Sequence, residues 1–305
     1  MTSAFIFPGQ GSQKAGMGRD LYDNFESSKD LFAAADRVLG FELSRLCFEG
    51  PDDSLKPTEI AQPAILTVSI AAFLALGKTP QAVAGHSLGE YSALVAAGVL
   101  AFEDAVKIVH LRGRFMQEAV PAGQGAMSAI LGLDRNAVET ACQAVSANNK
   151  WIAEPANFNS PGQIVISGTK EGVEEAGRLC KEAGAKKIIP LAVSAPFHCS
   201  LMKPAADKLA AELDKISFKA PSVPVYSNVT ASPQTDAATI KELLIRQVTS
   251  PVLWEDTLKN LSLKGFDTFV EIGCGKILSG LVKKTLENAK IYNVEDSVSA
   301  KGAAL

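Results

Sequence analysis

Apolar positions along this chain fall into two rhythms. Short unbroken apolar or β-branched runs, bounded by Gly, Pro or Asn, mark strands at Ser3–Phe7, Ala82–Gly85, Thr268–Ile272 and Ile291–Val294. Between them, apolar residues recur every three to four positions, the helical period, over Leu21–Val38, Pro63–Leu76, Glu90–Ala97, Phe102–Ala119 and Leu201–Leu213. Buried strands that alternate with amphipathic helices predict a mostly parallel sheet covered on both faces.

The middle of the chain changes rhythm. A strand at Ala126–Leu131 and a helix at Arg135–Ala147 precede strands at Trp151–Asn157 and Gln163–Ser167, joined by Asn-Ser-Pro-Gly turn chemistry. A charged helix, Glu171–Ala183, and a strand, Lys187–Val193, follow. The order β-α-β-β-α-β is ferredoxin-like. The expected architecture is therefore α/β, with a large domain from residues 1–123 and 192–305 and an inserted small subdomain from 124–191. A cleft is expected where they meet. The tail after Asp296, small and polar, reads as a fraying end.

Composition narrows the function. Charged residues make up 21% and apolar ones 47%, so the chain can bury a core, and a net charge of −3 supplies no basic stripe for nucleic acid. The five cysteines are scattered without a C-x-x-C pair, which fits neither a disulfide framework nor a zinc site. The N-terminus lacks a basic segment, and the apolar run Pro63–Gly77 falls short of the roughly 18 residues of a membrane span. No membrane association and a cytoplasmic location are expected. Gly9-Gln10-Gly11 lacks the third glycine of a dinucleotide fingerprint, and Gly77-Lys78-Thr79 lacks the leading glycine of a phosphate loop.

The chemistry gathers at Gly85-His86-Ser87-Leu88-Gly89, between a short strand and a helix. That context is the one a nucleophile elbow requires, with the Ser87 hydroxyl raised above the sheet. The Leu88 amide then lies at a helix N-terminus, which favours negative charge. A serine nucleophile needs a base, and the chain has three histidines. His86 adjoins the serine and points elsewhere in an elbow, and His110 lies within a helix. His198 stands in the loop Ser194-Ala195-Pro196-Phe197-His198, between strand and helix, and is the better candidate. On the helix Phe102–Ala119, Arg112 falls on the apolar stripe of Ala105, Ile108, Val109, Phe115 and Met116, whereas Arg114 does not. An inward guanidinium needs a partner. Either a ligand carboxylate or an Asp or Glu from elsewhere in the fold would serve.

Taken in order, Phe7-Pro8-Gly9-Gln10-Gly11-Ser12-Gln13, Gly85 to Glu90, Arg112-Gly113, Asn157 to Gln163, Phe197-His198 and Glu271-Ile272-Gly273 resemble the malonyl-CoA:acyl carrier protein transacylases and the acyltransferase domains of polyketide synthases. Cys274 stands where that family usually has proline. The resemblance implies malonyl transfer from malonyl-CoA to the phosphopantetheine thiol of an acyl carrier protein, by a ping-pong route without metal or bound cofactor. It implies Ser87 as nucleophile, His198 as base, the amides of Gln10 and Leu88 as oxyanion hole, and Arg112 as clamp for the malonyl carboxylate. The Gln247 carbonyl would orient His198, and Phe197 would wall the pocket against methylmalonyl. Lys186-Lys187 and Lys283-Lys284 are expected to flank the cleft mouth and steer an acidic carrier. The rivals are an α/β-hydrolase esterase or thioesterase and a non-catalytic scaffold. The first expects its histidine near the C-terminus, and the second leaves the Ser87, His198 and Arg112 set without purpose.

Overall fold

A computed structural model describes residues 2–147, 150–193 and 195–303, so Ser194 of the histidine loop lies outside the described residues. Its strands are β1 (Ser3–Phe7), β2 (Ala82–Gly85), β3 (Gly125–Leu131), β4 (Ala153–Ser160), β5 (Gln163–Thr169), β6 (Lys187–Pro190), β7 (Val225–Tyr226), β8 (Pro233–Gln234), β9 (Thr268–Ile272) and β10 (Lys290–Val294). The large sheet runs β10-β9-β1-β2-β7-β8 and is parallel except for the short edge strand β8. Every residue of β1, β2 and β9 is buried, which explains why these strands read as unbroken runs without alternation. Alternate side chains of β1 serve opposite faces. Phe5 and Phe7 join the core built on the helix Thr58–Leu76, while Ala4 and Ile6 join Trp254 and Leu258 on the other side.

The second sheet is antiparallel and runs β4-β5-β3-β6, the strand order of a ferredoxin-like unit. Its own core includes Ile130, Val138, Phe158, Ile166 and Val173. Strand β4 is also stitched to the large sheet's side of the molecule. Phe158 N–H donates to the Val252 carbonyl and Val252 N–H to the Ala156 carbonyl, each at 2.9 Å.

Several sequence expectations need correction. The helix read as Leu21–Val38 is two, Arg19–Asn24 and Glu26–Leu39. At Phe25 the backbone is extended; its N–H closes the first helix on Leu21 and its carbonyl opens the second. The apolar helix begins at Thr58, not Pro63, and Pro63 lies inside it. Proline frees the carbonyl four residues earlier, and here Glu59 O accepts from His110 Nδ1 at 2.8 Å. With 19 residues this helix is long and apolar enough to cross a membrane, but most of it is buried in the core of this fold. Strand β6 stops at Pro190 rather than Val193: Leu191 N–H still donates to the Met127 carbonyl of β3, but Val193 N–H turns back to the Leu191 carbonyl, each at 2.9 Å. Residues 297–303 do not form the fraying end expected after Asp296. Ser297–Gly302 is a helix with an Asp296–Ser299 capping box, and Ser297 N–H donates to Asp20.

Candidate active site

The site forms where the loops after β1 and β2 cross. A Cβ on Gly89 would sit 2.0 Å from the Phe7 carbonyl oxygen, and one on Gly9 2.5 Å from that of His86. Only glycine at these two positions lets the loops press together. Between them Ser87 is held at φ 52°, a left-handed conformation that a serine adopts only when its surroundings enforce it. Asn228 does so: its Oδ1 accepts from Ser87 N–H and its Nδ2 donates to the Gly85 carbonyl, both at 2.7 Å.

His198 is the second residue held at positive φ, 61°. The loop carrying it is fixed from the small sheet, where Glu154 accepts from both the N–H and hydroxyl of Ser200. Its Nδ1 lies 2.9 Å from the Gln247 carbonyl, an acceptor only, so Nδ1 carries the proton. Nε2 is left as the acceptor for the Ser87 hydroxyl at 2.7 Å. Burial, reinforced by the nearby Arg112 charge, pushes His198 down to about 3, so the ring is neutral at physiological pH. His86, in contrast, turns its Nε2 to Asn159 Oδ1 at 2.8 Å and packs its ring edge-on to Trp254.

Arg112 is 1% exposed, and among the described residues no Asp or Glu pairs with it. Gly113 beside it lets the helix Phe102–Glu118 close on Thr58 and Glu59. The guanidinium instead donates to two neutral amides, Gln62 Oε1 at 2.8 Å and Gln247 Oε1 at 2.9 Å, and reaches Ser87 Oγ at 3.2 Å. It lies over the Tyr91 ring, and its Nε has no acceptor among the described residues. A buried cation held by amide dipoles, with donors to spare beside a nucleophile, is a ready site for an anion. Behind it Glu90 is buried, and desolvation raises its carboxyl to about 7.

These groups open onto a cavity of about 430 Å³ lined by Gln10, Leu88, Arg112, Phe197 and His198, among others. Neither the Gln10 nor the Leu88 N–H has an acceptor among the described residues, so both are available to a ligand. Lys186, Lys187, Lys283 and Lys284 do not line it; Lys187 is on edge strand β6, and Lys284, on the helix Ile277–Thr285, donates to Gln163 of β5. Lys56, which the motif reading passed over, does line it. Gln62 and Asn228 were not singled out from the sequence, although Gln62 had a signal, a polar side chain within an apolar helix; Asn228, in a loop, had none. Asn159 stood in the matched run Asn157 to Gln163, without a role of its own.

Residues 4–301 match the model of the acyl transferase domain. The chain belongs to the acyl transferase domain family. The malonyl CoA-acyl carrier protein transacylase of Bacillus subtilis is 54% identical over 296 residues, covering 96% of this chain and 93% of its own. That of Salmonella typhimurium is 51% identical over 303 residues, with 97% of each chain covered. Among solved structures, a malonyl-transacylase in complex with its type II PKS acyl-carrier protein superposes with a TM-score of 0.96 at 46% identity, covering 99% of both chains. An acyl carrier protein S-malonyltransferase from Vibrio cholerae superposes at 0.95 with 48% identity and the same coverage. As an acyl transferase domain, the chain has its acyl nucleophile to be sought at the elbow, and the α/β-hydrolase and scaffold rivals lose their ground.

Proposed function

We propose that this enzyme moves malonyl from malonyl-CoA to the phosphopantetheine thiol of an acyl carrier protein through a malonyl ester on Ser87. The observation that carries the reading is the convergence of Ser87 Oγ with His198 Nε2 at 2.7 Å and Arg112 Nη2 at 3.2 Å in one cavity. His198 accepts the hydroxyl proton as Oγ attacks the thioester carbonyl, and the oxyanion is held by the N–H groups of Gln10 and Leu88. Each such donor contributes about 3–4 kcal/mol in the protease case. The C–S bond then breaks, and the coenzyme A sulfur leaves with the proton from His198. The carrier thiol enters in its place, gives its proton to His198, and attacks the ester; the proton returns to Ser87 Oγ. Arg112 grips the malonyl carboxylate throughout, and the Gln247 carbonyl keeps His198 in the required tautomer. The scheme uses neither metal nor bound cofactor, since phosphopantetheine arrives on the partner.

In this reading residues 1–123 with 192–305 form the catalytic domain and 124–191 the small subdomain. We place the enzyme in the cytoplasm, where its buried free thiols stay reduced. Fatty acid biosynthesis is the process served; a polyketide pathway is the alternative, favoured by the structural relative held with a type II PKS carrier. Intact-protein mass spectrometry after brief exposure to malonyl-CoA is expected to show one added malonyl group, mapped to Ser87 and discharged by holo carrier protein. An unmodified protein under conditions that discharge no coenzyme A would overturn the reading.

Phe197, 9% exposed and lining the cavity beside His198, crowds the malonyl α-carbon. Methylmalonyl is therefore a poor substrate, and Phe197→Ser is expected to raise methylmalonyl loading relative to malonyl by about tenfold, the value of one or two methylene groups in a pocket. An unchanged ratio means that the ring only packs the loop.

A further inference from the structure

We propose that Glu90 is a positioning residue that sets acyl specificity, by holding the Gln247 side-chain amide in the one orientation that offers oxygen to Arg112. The inference rests on the proposed role of Arg112 as carboxylate clamp. A glutamine amide is nearly symmetric in shape but has a donor end and an acceptor end. Here the Gln247 Nε2 end faces acceptors only: Glu90 Oε2 at 2.7 Å, the Ser87 carbonyl at 3.0 Å and Asn228 Oδ1 at 3.3 Å. The Oε1 end accepts from Arg112 at 2.9 Å. The Glu90 contact is the shortest of these, and Gln247 is fully buried, so water cannot replace it. A flipped amide would set an N–H against the guanidinium and an oxygen against the Glu90 and Ser87 oxygens. Arg112 would then lose one of the two amides that aim it at the cavity.

Glu90 does this whether or not it carries a proton. Both donors, Asn228 N–H and Gln247 Nε2, use the same oxygen, Oε2, and Oε1 has no hydrogen-bond partner among the described residues. A proton on Oε1 leaves the acceptor at Oε2 untouched. What the site requires of residue 90 is an oxygen acceptor, not a charge. The Gln247 backbone carbonyl that orients His198 is a separate group, so the base keeps its tautomer when the side-chain amide turns.

The test compares wild type, Glu90→Gln and Glu90→Met, measuring malonyl and acetyl loading on Ser87 together with labelling of Ser87 by a fluorophosphonate. Glu90→Gln keeps an amide oxygen for both donors and is expected to hold the malonyl-to-acetyl ratio within about threefold of wild type. Glu90→Met lacks an acceptor and is expected to lower that ratio at least about tenfold while fluorophosphonate labelling persists. Should Glu90→Met not fold, Glu90→Ala makes the same demand on the ratio. A retained ratio in the acceptor-free variants overturns the assignment, and so does joint loss of both acyl groups and the fluorophosphonate label, which would mark a packing role. Collapse of the ratio in Glu90→Gln also overturns it, since charge would then be the requirement. If wild type itself loads no malonyl, the functional reading fails first and takes the role of Glu90 with it.

Discussion

His198→Ala lowers malonyl loading of Ser87 by about four powers of ten, at the upper end of what a positioned general base supplies. Among the described residues the hydroxyl then has no proton acceptor, since the other group near Oγ, Arg112, is a donor. Ser87→Ala abolishes loading altogether and leaves the melting curve within a few degrees of wild type, because the elbow is braced through backbone contacts to Asn228 that need no hydroxyl. The wild-type pH profile carries a matching signature. With His198 pushed down to about 3 in the empty enzyme, the base stays unprotonated as the pH falls through the ordinary imidazole range near 6.5. Loading, read as kcat/KM for malonyl-CoA, is expected to show no histidine limb between pH 7 and 5. A limb centred near 6.5 would mean that the ring is solvated, and retention of substantial loading by Ser87→Ala would remove the elbow from the mechanism.

The sequence carried some parts of this arrangement openly and hid others, for physical reasons. Strands such as Ser3–Phe7 are legible because a strand buried on both faces must be apolar throughout. The elbow is legible because two close backbone crossings can be met only by glycine, at Gly85 and Gly89. Arg112 is legible because a charge on an apolar helical stripe breaks the pattern. Gln247 is not, since its main-chain carbonyl acts on His198 and any residue has a carbonyl; only the resemblance pointed to it. Asn228 is hidden in another way. It reaches the elbow across 141 positions of sequence, and nothing in a loop asparagine tells which backbone it braces. Glu90 stood in the motif, but an acid in the first turn of a helix carries no sign of its own that folding will bury it. The helix boundaries went astray at Phe25 and Pro63, where hydrogen-bond partners distant in sequence or a single extended residue decide the outcome.

Arg112→Ala is expected to lower malonyl loading at least about a hundredfold while leaving acetyl loading within a few-fold of wild type, or above it. The guanidinium has five N–H donors. Gln62 and Gln247 take two, Ser87 Oγ takes a third only weakly at 3.2 Å, and Nε has no acceptor among the described residues. A malonyl carboxylate can take the unspent donors in charge-assisted bonds within a buried site, where they are strong. Acetyl takes none, and its entry leaves a desolvated cation short of partners, at a cost of a few kcal/mol. Removing Arg112 removes the reward for malonyl and the penalty for acetyl together, so the ratio falls by more than either rate. Arg112→Lys does not restore it, because an ammonium offers one point of charge and cannot span Gln62, Gln247 and a carboxylate at once. Equal loading of malonyl and acetyl by the wild-type enzyme would show that the guanidinium selects nothing, and its amide partners would then be holding it for structure alone.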